Sequence, residues 1–134
     1  MKAIDTSKID LRLGSEFRYW LIRLKTNTGV ASMNILCRWA LCVSLAEDSP
    51  LRSIEQNLKE GETEEKGLEI RWETFAGSEN EIYLSLLKTY CQQNKIEITE
   101  HNLQKALREH VQRGLGYLRS DVKDPLDLMA MVVK

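Results

Sequence analysis

Between Leu24 and Ala46 two helical hydrophobic patterns meet at the Thr28-Gly29 step, and the second is apolar around nearly its whole circumference. Phe17, Trp20, Leu21 and Leu24 fall at i, i+3, i+4 and i+7, the spacing of one helix stripe, and Ser15 is placed to cap that helix. Gly29 ends it, because glycine takes the left-handed conformation of a helix C-terminus without steric penalty. Ser32 is the cap expected for the next helix. There Leu36, Ala40 and Val43 form one stripe, and Ile35, Trp39, Cys42 and Ala46 form another. One short partner helix cannot cover both, and an exposed stripe would be an unusually large apolar patch, so the second is expected to bury against another subunit.

Upstream, residues 8–13 alternate strictly. Ile9, Leu11 and Leu13 point one way, and Lys8, Asp10 and Arg12 the other, as in a half-buried strand. Strand, helix, tight turn and helix is the order of a ribbon-helix-helix DNA-binding unit. The fold class expected is therefore mainly α: a ribbon-helix-helix-like N-terminal unit, then a short strand and two further helices, in an oligomer. That strand is read over Leu68 to Phe75, where Leu68, Ile70 and Trp72 alternate. Ser78 and Glu81 fit a capping box for a helix carrying Tyr83, Leu86, Leu87, Tyr90 and Cys91. A last helix begins near Thr99, uses Leu103, Leu107, His110 and Val111, and is expected to break at Gly114 and Gly116. Residues 47–67 are polar, with Pro50, Gly61 and Gly67 as breakers, and read as a surface loop with at most a short helix around 51–58. No repeat divides the chain, so 1–134 is read as one domain with a C-terminal tail at about 121–134.

With 134 residues and 43% hydrophobic content the chain can bury one core. No run approaches the ~20 apolar residues that span a bilayer, and MKAIDTSK lacks the apolar segment of a signal peptide, so a cytoplasmic protein with no membrane partner is expected. The net charge of −1 hides an asymmetry. Residues 1–46 carry seven basic side chains against three acidic, residues 47–81 four against eleven, and the remainder eight against six. A phosphate-binding face beside a remote acidic loop would produce this pattern, and so would ordinary scatter over a solvated surface.

Catalytic chemistry finds little purchase. Cys37, Cys42 and Cys91 sit inside helical apolar patterns without C-x-x-C spacing, which argues for reduced, buried thiols and against a disulfide frame or zinc site. His101 and His110 are the only histidines, and no acidic cluster with metal-ligand spacing joins them. His110 lies on the apolar stripe, where a satisfied core histidine is the better reading. No metal, cofactor or catalytic residue is expected.

Five pieces then carry a resemblance: RLKTNTG, NILCRWALCVSLAE, the strand with its single Trp ending near Gly77, IYLSLLKTYC, and HVQRGLGYL at 110–118. Collinear over roughly residues 9–118, they resemble the DndE family of bacterial DNA sulfur-modification proteins. The resemblance implies a small ribbon-helix-helix-like homotetramer that binds DNA and prefers nicked duplex. Such a protein acts beside a cysteine desulfurase, an adenylating iron–sulfur protein and an ATPase that replace a non-bridging phosphate oxygen with sulfur. Where the family often carries a further lysine after the TG step, this chain has Val30 and Ala31, and its tail runs past the usual end.

Carried over by position, the DNA-binding role falls on Arg23 and Lys25 at the end of the first helix, on Thr28 and Gly29 in the turn, and on Ser32 and Asn34 at the next helix N-terminus, where free amides and the dipole favour an anion. Arg12 and Arg38 complete the candidate set. Each has a plainer reading: Lys25 as a dipole-favoured solvated cation, Gly29 as a simple cap, Arg38 as an intersubunit ion pair. Base reading by Lys8 and Arg12 is disfavoured by Asp10 between them, so strand pairing is their safer role. The non-catalytic DNA-binding subunit of a phosphorothioation system is the favoured function. A ribbon-helix-helix transcriptional regulator, or a DNA-nicking enzyme of the same system, is the alternative.

Overall fold

The computed structural model describes residues 3–47, 49, 51 and 67–121. The helix expected around 51–58, most of the acidic loop and the tail beyond residue 121 lie outside the described residues. The alternation near the N-terminus becomes strand β1 (Asp10–Leu13), with Leu11, Leu13 and the preceding Ile9 all buried. Its antiparallel partner is β2 (Leu68–Arg71), in the register Asp10↔Arg71, Leu11↔Ile70, Arg12↔Glu69 and Leu13↔Leu68. Both strands of the ribbon thus come from one chain.

Helix α1 spans Ser15–Thr28 and buries Phe17, Leu21, Leu24 and Thr28. Gly14 occupies the cap position without a side-chain bond, so Ser15 is the first residue of the helix and not its cap. Trp20 is half-buried between the Phe17 ring, 4.9 Å away, and the Arg119 guanidinium, 4.4 Å from its centroid. Gly29 closes α1 at φ +74°, donating its N–H to the Lys25 carbonyl, and no neighbouring atom lies within 4 Å of where a Cβ would stand. Helix α2 (Met33–Leu45) starts at Ser32, whose Oγ accepts from the Ile35 N–H, and meets α1 at 100°.

The strand expected over 68–75 stops at Arg71. Trp72–Ala76 forms a short helix, α3, that buries Trp72, Phe75 and Ala76. Those three fall at i, i+3 and i+4, a helical spacing that shares Trp72 with the strand alternation before it. Trp72 donates its N–H to Ile9 and closes the ladder. After a single 3-10 turn at Gly77–Glu79, helix α4 runs Asn80–Gln93 with Glu79 at its cap and no capping side-chain bond. Ser78 sits inside that turn, so the capping box with Glu81 does not form; Asn80 Oδ1 instead accepts from Trp72 Nε1.

Helix α5 (Glu100–Asp121) is capped by Thr99, whose Oγ1 accepts from the Asn102 N–H. It does not break at Gly114 and Gly116 but continues through both. Gly114 is a contact point and not a stop, because a methyl there would lie 1.9 Å from the Ala40 carbonyl oxygen of α2. The inner face of α2, formed by Leu36, Cys37, Ala40, Leu41 and Ser44, is wholly buried. Val43 turns away from this face, one step round from its expected stripe, and is only partly buried. The outer stripe stays uncovered among the described residues: Ile35 is 41% exposed and Cys42 is exposed, which corrects the expectation that all three thiols are buried. With Arg38 and Tyr83 this stripe lines an apolar groove of about 540 Å³. Among the described residues no single helix is long and apolar enough to cross a membrane.

Candidate nucleic-acid interface

The corner between α1 and α2 brings together most of the residues singled out from the sequence. Arg23 and Gly29 are exposed and Lys25 is half-exposed. The other side chains at the corner are engaged inside the chain. Thr28 Oγ1 donates to the Leu24 carbonyl at 2.6 Å and accepts from the Val30 N–H at 3.2 Å, so it ties the turn back onto α1. Ser32 holds one first-turn amide of α2, and a single cap leaves the others directed out of the helix end.

Asn34 and Arg38 face α3 together. Asn34 Nδ2 donates to the Thr74 carbonyl at 2.7 Å, and Arg38 donates through Nε to the Phe75 carbonyl and through Nη2 to that of Thr74 at 3.4 Å. The Arg38 guanidinium also lies 5.8 Å from the Tyr83 ring centroid. Carbonyls at a helix end lack partners within the helix, and a guanidinium with parallel donors serves two of them at once. Arg12, on the solvent side of the ribbon, lies 3.6 Å from Glu69 and 3.8 Å from Asp10, in exposed ion pairs worth little to stability.

One polar cluster was not legible as such in the sequence. Arg113 of α5 donates Nε to Ser44 Oγ at 2.8 Å, Nη2 to the Ser44 carbonyl at 2.7 Å and Nη1 to the Ser49 carbonyl at 2.7 Å. Ser44 Oγ lies 2.7 Å from His110 Nδ1. Ser44 is fully buried, and its hydroxyl meets both Arg113 Nε and His110 Nδ1, while His110 Nε2 is buried with no partner among the described residues. The ring packs T-shaped against Tyr90 at 4.3 Å. The cluster pins the end of α2 to α5 and offers no solvent-facing nucleophile. Its only sequence signal was a histidine on an apolar stripe, because Ser44 and Arg113 are 69 residues apart.

Burial, helped by the Arg113 charge, lowers the His110 pKa from 6.5 to about 4. The unfolded chain therefore binds this proton first on acidification, so the contribution of neutral His110 is complete above pH 6.5 and is lost as pH falls toward 4. Stability is expected to drop by roughly 2 kcal/mol over that interval from this group. Urea midpoints of wild type and His110→Gln at pH 7 and pH 5 check it: the wild type should lose more than the variant, and parallel losses would refute the assignment.

All three thiols are held above the ordinary cysteine range. Burial pushes Cys37 up to about 12 and raises Cys91, and desolvation by the apolar stripe around it raises Cys42 even though part of that residue meets solvent, whereas a reactive cysteine needs a lowered pKa. Among the described residues no three His, Cys, Asp or Glu side chains are grouped to hold a metal ion.

Compared with known proteins, residues 10–125 match the family model described as DNA sulphur modification protein DndE. The chain belongs to the DndE family. The match takes in both described strands, the five described helices and the α1–α2 corner, so this DndE-family chain has a role in DNA sulfur modification. No curated protein matches it.

Proposed function

We propose that this DndE-family protein is the non-catalytic DNA-binding subunit of a DNA phosphorothioation system, acting as a homotetramer beside the other subunits of that system. Arg23, Lys25 and the Thr28–Gly29 turn meet the phosphates of a nicked duplex. The observation that carries the reading is the corner itself, where a basic helix end and the N-terminus of α2 converge at 100° around an exposed left-handed glycine. Backbone approaches phosphate closely at such a position, and cations beside it add a sequence-independent attraction. In this reading Ser32, Asn34 and Arg38 serve by holding the corner in shape, and Arg12 by pairing the ribbon.

A nick suits this arrangement. It hinges the duplex, so bending DNA onto several basic corners of one oligomer costs less than on intact DNA. A repressor-type ribbon is disfavoured because β1 already has β2 as its partner.

Equilibrium binding to nicked and intact duplexes of equal length, across a salt series, tests the proposal. Tighter binding to the nicked form is expected, with little sequence preference and a steep salt dependence. Lys25→Ala should weaken binding to all sequences by about fivefold and reduce the salt slope by ~1. Equal affinity for the two duplexes, or a Lys25→Ala variant unchanged in affinity and slope, would refute it.

A further inference from the structure

Of the large apolar side chains left exposed, Tyr19 is among the most open at 56%, and Ile22, one turn further along α1, is 39% exposed. Phe17 and Trp20, the other aromatics of this helix, are already paired with each other, and Trp20 also with Arg119. Among the described residues Tyr19 has neither a ring partner nor a hydrogen bond. Residues three and four apart share a helix face, so Tyr19, Ile22 and Arg23 form one surface. Arg18 and Arg23 are exposed on the same helix and Lys25 is half-exposed, against Glu16 as its one acid. An exposed aromatic between arginines, on a helix of net positive charge, has the chemistry of a base-stacking platform.

Bases inside an intact duplex present only their edges to a protein, since their faces are covered by the neighbouring pairs. A face becomes available where a strand is interrupted and the flanking stack can open. We propose that Tyr19 stacks on the base face laid bare at a strand break, while Arg23, one turn along the same surface, meets the adjoining phosphate. This rests on the nicked-duplex reading above and locates the discrimination between nicked and intact DNA in an aromatic ring, leaving general affinity to the basic corner.

The test uses the full-length chain and a nicked duplex carrying 2-aminopurine beside the nick, with the matching intact duplex as control. Wild-type protein should change the 2-aminopurine emission of the nicked duplex only. Tyr19→Ala should abolish that change and lose about tenfold in affinity for nicked DNA while affinity for intact DNA stays within twofold. Tyr19→Phe, which keeps the ring, should retain both signals. Because Tyr19 is exposed, circular dichroism and thermal melting should match wild type. If Tyr19→Ala keeps the emission change and the nick preference, this inference falls and the basic corner stands. If it leaves DNA binding intact but alters the mass in light scattering, the surface is a protein interface and the inference is likewise overturned. Failure of wild type to bind any duplex sinks both readings.

Discussion

Gly114→Ala should cost this protein more than 3 kcal/mol of stability, although in most helices glycine to alanine is a gain. Ordinarily the change removes backbone entropy from the unfolded chain and stabilises a helix interior by ~0.5–1 kcal/mol. At Gly114 the added Cβ would stand 1.9 Å from the Ala40 oxygen, 2.4 Å from its carbonyl carbon and 2.6 Å from its Cα. These are backbone atoms in the middle of α2, so no rotamer change relieves the clash, and the two helices must move apart by more than an ångström. Separating α2 from α5 opens the core around Leu36, Leu41, Leu107, Val111 and Leu115, all buried. Overpacking alone typically costs ~1–3 kcal/mol, and a rigid backbone opponent puts this case above that range. Gly116 supplies the control. Among the described residues no atom lies within 4 Å of where its Cβ would be, so Gly116→Ala should raise the denaturation midpoint. Urea unfolding of the two variants decides the matter, and a stable Gly114→Ala would mean that the helices do not approach this closely.

The same glycine shows what a sequence read locally can and cannot reach. The Phe17–Leu24 stripe, the Gly29 terminator and the Ser32 cap were readable because each depends on residues within one or two turns. Gly114 was misread as a helix stop because its reason, Ala40, belongs to a distant helix. The engagement of Asn34 and Arg38 was hidden by a chain of such effects. Leu68, Ile70 and Trp72 alternate, so the segment to Phe75 passed for a strand, and α3 was missed. Without α3 there were no helix-end carbonyls at Thr74 and Phe75 to occupy Asn34 and Arg38, and those side chains were then read as free for phosphate. Arg23 and Lys25 escape this problem because they lie on the solvent side of α1, where the plain reading of a cation suffices. Cys42 was placed among buried thiols for a related reason: a helix apolar all round gives no hint of which side its own chain covers.

The uncovered side of α2 carries the other large expected effect. Ile35, Trp39, Cys42, Val43 and Ala46 present an apolar stripe beside a groove of about 540 Å³ that no other described residue fills. In the proposed homotetramer these residues meet their counterparts on another copy, and the interface resembles a core cut in half. Trp39→Asp would then bring a carboxylate into that contact. An unpaired charge in an apolar interface costs several kcal/mol, enough to raise a dissociation constant by more than a hundredfold. Size-exclusion chromatography with light scattering should show wild type as a tetramer at micromolar concentration and the variant as monomer or dimer. Trp39 is partly packed against the chain's own core, so loss of mass could be confused with loss of fold. Ile35→Asp separates the two: at 41% exposure it changes less of the core and should dissociate the assembly with helical content intact. Dissociation should also weaken DNA binding well beyond the loss from Lys25→Ala, because a tetramer presents several basic corners to one duplex while a monomer presents one. A wild-type monomer, or an Ile35→Asp variant that stays tetrameric, would assign the stripe to something other than self-assembly.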